Sequence, residues 1–182
     1  MVHGGEHSVG KRKRRRPIHT KKPMHLTMRS ESAKGRLSLG LPRHRNFIER
    51  KVREYAVKWG IRIYTFSNNS NHLHMVIRAG TRVGFQNFLR ALSAQVALFV
   101  TGAKKGAALG KRFWDLLAFT RVPGWGRAYA VVRDYVEMNQ QEAVGLPTRR
   151  SGRVQKVKKP GRIAPSGPKL DSSLKSSERP LW

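Results

Sequence analysis

The sequence contains no cysteine and only 10 acidic residues among 182. Without cysteine the chain forms no disulfide and offers no thiolate to a metal, so zinc fingers are excluded and any metal must bind histidine, carboxylate or amide groups. Against the acidic residues stand 38 lysines and arginines, which give a formal net charge of +28. Such an excess is typical of proteins that bind nucleic acid. A basic solubility bias or a ribosome-associated protein would give the same composition.

Long apolar runs are also missing from the sequence. No run approaches the roughly 20 apolar residues that span a bilayer, and the basic run near the N-terminus is not followed by an apolar segment. We therefore expect a soluble, cytoplasmic protein with no membrane partner. Apolar residues make up 38% of the chain, which is enough for one core, so we expect one domain with tails.

Two basic segments flank the predicted domain. Residues 1–16 end in a run of basic side chains and carry too little apolar surface to order themselves, which predicts a disordered basic arm. Residues 147–182 are rich in proline, glycine, serine, lysine and arginine, and they predict a disordered cationic tail. Residues 17–146 remain as the folded domain.

The residue pattern inside the domain predicts alternating strands and helices. The order β-α-β-β-α-β-α indicates a central antiparallel sheet with helices packed on it, an α+β architecture. The predicted strands cover residues 24–29, 61–66, 73–77 and 113–122, and the predicted helices cover about 42–59, 85–102 and 128–144.

His72 and His74 stand two residues apart in a predicted strand, so both imidazoles leave the same face. Two neutral imidazoles on one face are a credible pair of ligands for a divalent metal ion, but they fill too few coordination positions and a third protein ligand is needed. Chance explains the His72–His74 pair by itself at least as well as metal binding does, because two of the seven histidines can share a strand face by accident.

Tyr135 and Asn139 stand four residues apart on one face of the last predicted helix. The phenol offers an oxygen nucleophile, and the amide offers a metal ligand or a phosphate contact. On the helix alone, a tyrosine that only packs against the core is the better explanation. Asp115 and Glu137 are the carboxylates nearest to these motifs, and surface ion pairs are the more common use of such residues.

Taken together, these features resemble the single-tyrosine HUH transposases, and among them the REP-associated tyrosine transposases. The resemblance covers about residues 16–145. One departure is that relatives commonly have proline after the asparagine, whereas Gln140 follows Asn139, so the helix ending here can differ from theirs. The resemblance is carried, in chain order, by residues 16–26, by the segment 70–76 with its two histidines, by 113–115, 119–121 and 125–127, and by Tyr135 followed by Asn139.

The resemblance implies a ferredoxin-like HUH fold and a metal-dependent enzyme of DNA transposition. Such an enzyme cleaves and rejoins single-stranded DNA that bears hairpins, through a 5′-phosphotyrosine intermediate. His72, His74 and Asn139 would hold Mg²⁺ or Mn²⁺, and Tyr135 would be the nucleophile, so the two histidines and the tyrosine form the implied catalytic set. His25, on the neighbouring strand of the family's sheet, would point toward the site and ranks below the pair.

The resemblance also suggests where DNA binds. Arg121, Trp125 and Arg127 are the candidate DNA contacts, because basic side chains hold phosphates and aromatic rings stack on unpaired bases. A solvated basic edge and a packed indole explain these three residues equally well. The enzyme would act at the bacterial nucleoid as a monomer or a homodimer.

Three other functions remain open from the sequence. A non-catalytic nucleic-acid-binding protein would be indifferent to chelation. A domesticated transposase would bind hairpins without turnover, although intact His72, His74 and Tyr135 argue against decay. A metal-dependent hydrolase using the same histidines would form no protein–DNA adduct.

Deletion of residues 150–182 is expected to lower the affinity for DNA and to flatten its dependence on salt concentration, because the tail supplies charge without chemistry. Cleavage at saturating DNA should persist in the shortened protein. Binding isotherms at several salt concentrations, with a cleavage assay at saturating DNA, test this. Loss of cleavage would mean that the domain extends beyond residue 146.

Overall fold

A five-stranded antiparallel sheet organises the fold in the computed structural model, which describes residues 2–12, 15–104 and 112–146. All described residues belong to one compact unit, residues 1–152, and the predicted tail, residues 147–182, lies outside them. The spatial strand order is β1-β5-β2-β4-β3, and every neighbouring pair is antiparallel, which confirms the predicted fold class. The strands are β1 (Val2–His3), β2 (Met24–Arg29), β3 (Ile61–Asn68), β4 (His72–Ala79) and β5 (Phe119–Arg121).

Three helices cover the two faces of the sheet. They are α1 (Pro42–Lys58), α2 (Arg82–Thr101) and α3 (Arg127–Ala143). Strand side chains alternate between faces, so Met24, Leu26 and Met28 of β2 are buried in the main core with α1 and α2. The opposite face carries α3, whose Val132 and Val136 pack on Val76 of β4 in a second, smaller core.

The helix ends follow from local chemistry. Pro42 occupies the first turn of α1, where its missing N–H would have no helical partner. The Thr81 side chain caps α2 by accepting the Gly84 N–H at 3.0 Å. Gly102 ends α2 with φ of 70°, a left-handed conformation that favours glycine. All three predicted helices are present, with ends within a few residues of those expected.

α2 is the helix that bears on the expectation that no apolar run approaches the roughly 20 residues that span a bilayer. By length and composition alone, α2 is long and apolar enough to cross a bilayer, and it is the one such helix among the described residues. In this fold its apolar stripe, including Phe85, Phe88 and Leu92, is buried in the main core. A helix that covers a sheet meets the same criterion, and we assign α2 that role.

The predicted strand over residues 113–122 is only partly correct, because just Phe119–Arg121 pairs as β5. The preceding residues are held by other contacts. Phe113 is buried in the main core, and its carbonyl accepts a hydrogen bond from the Ser30 hydroxyl. The Asp115 N–H donates to the Arg29 carbonyl at 3.1 Å. Apolar and aromatic residues suggested a strand, but they anchor an irregular segment instead.

The N-terminal arm, expected to be disordered over residues 1–16, is ordered at several points. Val2 and His3 pair with β5, and the Gly5 N–H donates to the Leu117 carbonyl at 2.7 Å. The Arg16 guanidinium donates to the Ala118 carbonyl at 2.7 Å. Backbone groups at the edge of β5 supply partners that composition alone does not reveal.

Gly4→Ala is expected to release β1 from β5. Gly4 has φ of 81°, and a Cβ there would lie 2.1 Å from the Ala118 carbonyl oxygen. The Gly5 amide, which donates to Leu117, should then exchange its hydrogen faster by about tenfold or more, because local opening costs less.

Gly10→Ala is the matched control, since Gly10 also has a positive φ, of 68°, but a Cβ there meets nothing within 4 Å. Hydrogen exchange followed by NMR measures both variants. Equal exchange at Gly5 in the two variants would contradict the close packing of Gly4.

Candidate active site

The register between β2 and β4 brings polar side chains together on the face that carries α3. Thr27 lies opposite His74, and Arg29 lies opposite His72. The His72 and His74 ring centroids are 4.6 Å apart, with the rings at 87° to each other. Both imidazoles therefore leave one face of an interior strand, which confirms the geometry predicted from their spacing. The strand histidine His74 is only 5% exposed.

Tyr135 reaches this face from α3. Val132 and Val136 are buried against the sheet, and their positions fix the rotation of the helix. The Tyr135 ring then lies 5.6 Å from the His74 ring and 6.4 Å from the His25 ring, between centroids. It remains 38% exposed. The structure thus places the predicted nucleophile against His74, one member of the predicted metal-binding pair, with part of the tyrosine exposed to solvent.

Asn139 lies one helical turn beyond Tyr135 and is 6% exposed. Its backbone carbonyl accepts a hydrogen bond from the Asn69 side-chain amide at 3.2 Å. Asn69 belongs to the turn that leads into β4, and its backbone N–H donates to the His72 carbonyl at 2.9 Å. Asn139 therefore contacts a residue that is itself hydrogen-bonded to His72. Its side-chain amide nitrogen is buried and has no hydrogen-bond partner in the described part of the chain.

Each imidazole of the pair has one nitrogen held by a neighbour. His72 Nδ1 lies 2.6 Å from Asn71 Oδ1. His74 Nδ1 lies 3.1 Å from Thr27 Oγ1 and 3.3 Å from His25 Nε2. His25 therefore joins the site as expected, through direct contact with His74. Thr27 and Asn71 were not predicted as site residues. The position of Thr27 follows only from the strand register, and the contact of Asn71 with His72 follows only from the side-chain geometry.

The site keeps its imidazoles neutral. Burial, followed by the charges of His72 and His25, lowers the pKa of His74 to about 3. Burial, followed by the charge of Arg121, lowers the pKa of His25 to about 4. Burial and then Arg29 also lower the pKa of His72. Neutral imidazoles are the form that binds metal ions.

Neither candidate carboxylate joins the histidines. Asp115 accepts the Glu31 N–H at 2.9 Å, and Glu137 pairs with Arg133 at 3.7 Å. Within residues 2–12, 15–104 and 112–146, no group of three histidine or carboxylate side chains is placed to hold a metal ion. Metal binding here needs an amide as the third protein ligand. The donor set nevertheless fits a divalent cation, because His74 Nε2 is buried and has no hydrogen-bond partner among the residues that the structure describes.

The candidate DNA contacts lie around the site without forming one cluster. Arg121 is exposed on β5, opposite His25 in the strand register. Trp125 is 50% exposed, and its indole N–H donates to the Lys21 carbonyl at 3.0 Å. Arg127 is exposed at the first residue of α3. A cavity of about 660 Å³ has Thr27 and Arg29 of β2 and Phe119 of β5 in its wall.

Comparison with known proteins identifies the chain as a transposase. The family model described as "Transposase IS200 like" matches residues 7–139, a span that includes the histidine pair, Tyr135 and Asn139. The chain therefore belongs to the IS200-like transposase family, and the resemblance found in the sequence is confirmed. No curated protein sequence matches the chain.

Two solved structures are similar to this one. The first is a REP-associated tyrosine transposase bound to a REP hairpin, which is 15% identical, has a TM-score of 0.56, and matches over 88% of this chain and 99% of that chain. The second is a candidate transposase from Deinococcus radiodurans R1, also 15% identical, with a TM-score of 0.43 over 71% of this chain and 98% of that chain. The first likeness supports the fold assignment.

The metal-free protein is expected to lose stability as the pH falls below 6.5. The folded pKa values of His74 and His25, about 3 and about 4, lie below the ordinary value of 6.5. The stabilisation by neutral histidines is therefore complete above pH 6.5 and is lost as the pH falls toward the folded values. Each histidine contributes a slope of about 1.4 kcal/mol per pH unit in that window.

Urea unfolding at pH 7, 6 and 5 with a chelator measures this slope. His74→Gln should make it shallower, because one of the three histidines with a lowered pKa is removed. His19→Gln, which changes an exposed histidine outside the cluster, is the control substitution. A slope that His74→Gln does not change would refute the neutral, buried state of His74.

Proposed function

We propose that this transposase cleaves and rejoins single-stranded DNA through a covalent 5′-phosphotyrosine intermediate on Tyr135. The observation that carries the proposal is the contact between the half-exposed Tyr135 ring and His74, whose buried Nε2 has no hydrogen-bond partner in the described part of the protein. A nucleophile and a vacant ligand atom on adjacent elements are what such a reaction requires.

The other tyrosines are placed for packing. Tyr55 of α1 belongs to the main core on the opposite side of the sheet. Tyr64 and Tyr129 contact each other and Trp125. Of the four tyrosines in the sequence, Tyr135 has ring contacts with the histidines. This placement favours Tyr135 as the nucleophile.

The proposed reaction exchanges one phosphate ester for another. The Tyr135 oxygen forms a bond to phosphorus, the bond from phosphorus to the 3′ oxygen breaks, and the phenol proton ends on the released 3′-hydroxyl. The 5′-phosphate stays on the protein. Attack by a 3′-hydroxyl reverses these changes and rejoins DNA without ATP, because the phosphotyrosine conserves the energy of the bond that was broken.

His72, His74 and Asn139 are the proposed ligands of Mg²⁺ or Mn²⁺. The metal would supply positive charge that polarises the scissile phosphate. The protein contributes two imidazoles that burial holds in the neutral form and the side-chain amide of Asn139, a buried residue of α3. α3 holds the tyrosine against this set and shields one side of it from water.

A DNA hairpin with unpaired flanks is the proposed substrate. The net charge of +28 favours a polyanion, and the transposase of similar fold was solved with a REP hairpin. The half-exposed Trp125 indole offers a surface on which an unpaired base can stack. Arg127 at the N-terminus of α3 and Arg121 on the site face offer charge to phosphates.

Tyr135→Phe is expected to abolish both strand cleavage and the covalent protein–DNA adduct, by more than about 1,000-fold in rate. The substitution removes one oxygen and keeps the aromatic packing, so folding and hairpin binding should stay nearly unchanged. Labelled hairpin DNA with Mn²⁺, resolved on a denaturing gel, measures cleavage and adduct together. Tyr129→Phe is the matched control on the same helix and should keep both.

His72→Ala and His74→Ala should also lose cleavage, through weaker metal binding. Excess Mn²⁺ is therefore expected to restore some activity to these two variants and none to Tyr135→Phe. An adduct that survives Tyr135→Phe would make another tyrosine the nucleophile. If the unmodified protein binds the hairpin but forms no adduct, the result would instead favour the hypothesis that this protein is a domesticated transposase that binds DNA without turnover.

A further inference from the structure

We propose that Asn71 and the pair Thr27–His25 are positioning residues that keep the protons of His72 and His74 on Nδ1. Both Nε2 atoms are then left with free electron pairs that face the site. The inference rests on the proposed function for its purpose, because a metal ion needs those electron pairs. Its physical content, the position of two protons, is separate and is measured without metal.

The assignment for His72 follows from the chemistry of an amide oxygen. Asn71 Oδ1 lies 2.6 Å from His72 Nδ1, and such an oxygen only accepts hydrogen bonds. His72 Nδ1 therefore carries the proton, and Nε2 does not. The Asn71 backbone is itself fixed on both sides, since its N–H donates to the Asn69 carbonyl at 2.6 Å and its carbonyl accepts the Ser30 N–H at 2.9 Å.

The position of the His74 proton is limited by the Thr27 hydroxyl, which has only one proton to donate. Thr27 Oγ1 lies 3.1 Å from His74 Nδ1 and 3.3 Å from His25 Nε2. The hydroxyl can accept from one ring and donate to the other. In the direction we propose, His74 Nδ1–H donates to Thr27, and the Thr27 hydroxyl donates to His25 Nε2.

The opposite direction is disfavoured by the surroundings of His74. It would move the His74 proton to Nε2, an atom that is buried and has no hydrogen-bond partner among the described residues. A buried N–H without an acceptor is costly and rare. The proposed direction leaves an electron pair at that atom instead, and a cation can satisfy it.

Rigid elements support the arrangement. Thr27 faces His74 across the β2–β4 pair, so the backbone register sets the distance between them. Threonine is branched at Cβ and has few side-chain rotamers. The His25 and His74 rings are stacked, with centroids 5.5 Å apart and 12° between their planes. Metal-binding histidines are generally oriented by such a bond at the other ring nitrogen.

Nitrogen NMR of the metal-free protein tests the proposal directly. The expected spectrum at pH 7.5 has Nδ1 protonated in both His72 and His74, and a wild-type His74 protonated at Nε2 would overturn the assignment. Thr27→Val should shift His74 toward a mixture of tautomers and weaken Mn²⁺ binding, measured by calorimetry, by about 10- to 100-fold. Thr27→Ser keeps the hydroxyl and should restore both properties.

Thr65→Val is the matched control, because the Thr65 hydroxyl is buried and no described residue forms a hydrogen bond with it. Its loss should change neither the tautomers nor the affinity. Asn71→Ala should affect the His72 signals and leave those of His74. Unchanged tautomers in Thr27→Val would refute the role of Thr27. If the expected tautomers are found in a protein that binds no Mn²⁺, this inference stands and the metal role in the proposed function fails.

Discussion

The pairing of β2 with β4 is the constraint on which the rest of the structure depends. It sets Thr27 against His74 and Arg29 against His72 on one face, while Leu26 and Met75 meet on the other. Strand side chains alternate, so a shift of one residue would turn the histidines into the apolar core and bring methionine and leucine under α3. The apolar face thus enforces the register that assembles the polar one.

The sequence predicted the parts of the fold that depend on local periodicity. Regular spacing of apolar residues located all three helices, and the two-residue spacing of His72 and His74 gave their common face. Contacts between distant segments were not predictable in this way. The contact of Thr27 with His74 joins strands whose residues lie 47 positions apart, and the pairing of Val2 with Arg121 depends on a free strand edge. Aromatic content also suggested a longer strand before β5 than the fold contains.

The net positive charge of the chain and the positive charges next to the site have compatible effects. A net charge of +28 draws in a polyanion, and arginines close to the sheet also oppose protonation of the histidines, as Arg121 does for His25 and Arg29 for His72. Burial is the larger cause in both cases. The arginines that we propose as phosphate contacts or that lie beside the site therefore also help to preserve neutral imidazoles.

The two edges of the sheet have a consequence for the behaviour of the protein at high concentration. Unpaired strand edges invite pairing with other molecules, and short, irregular or charged edges discourage it. One edge here is β1, which is only two residues long. The other is β3, whose register shifts between Ile63 and Thr65 and which carries the exposed Arg62. Neither edge offers a long, flat template, so intermolecular sheet growth and the aggregation that it causes are disfavoured.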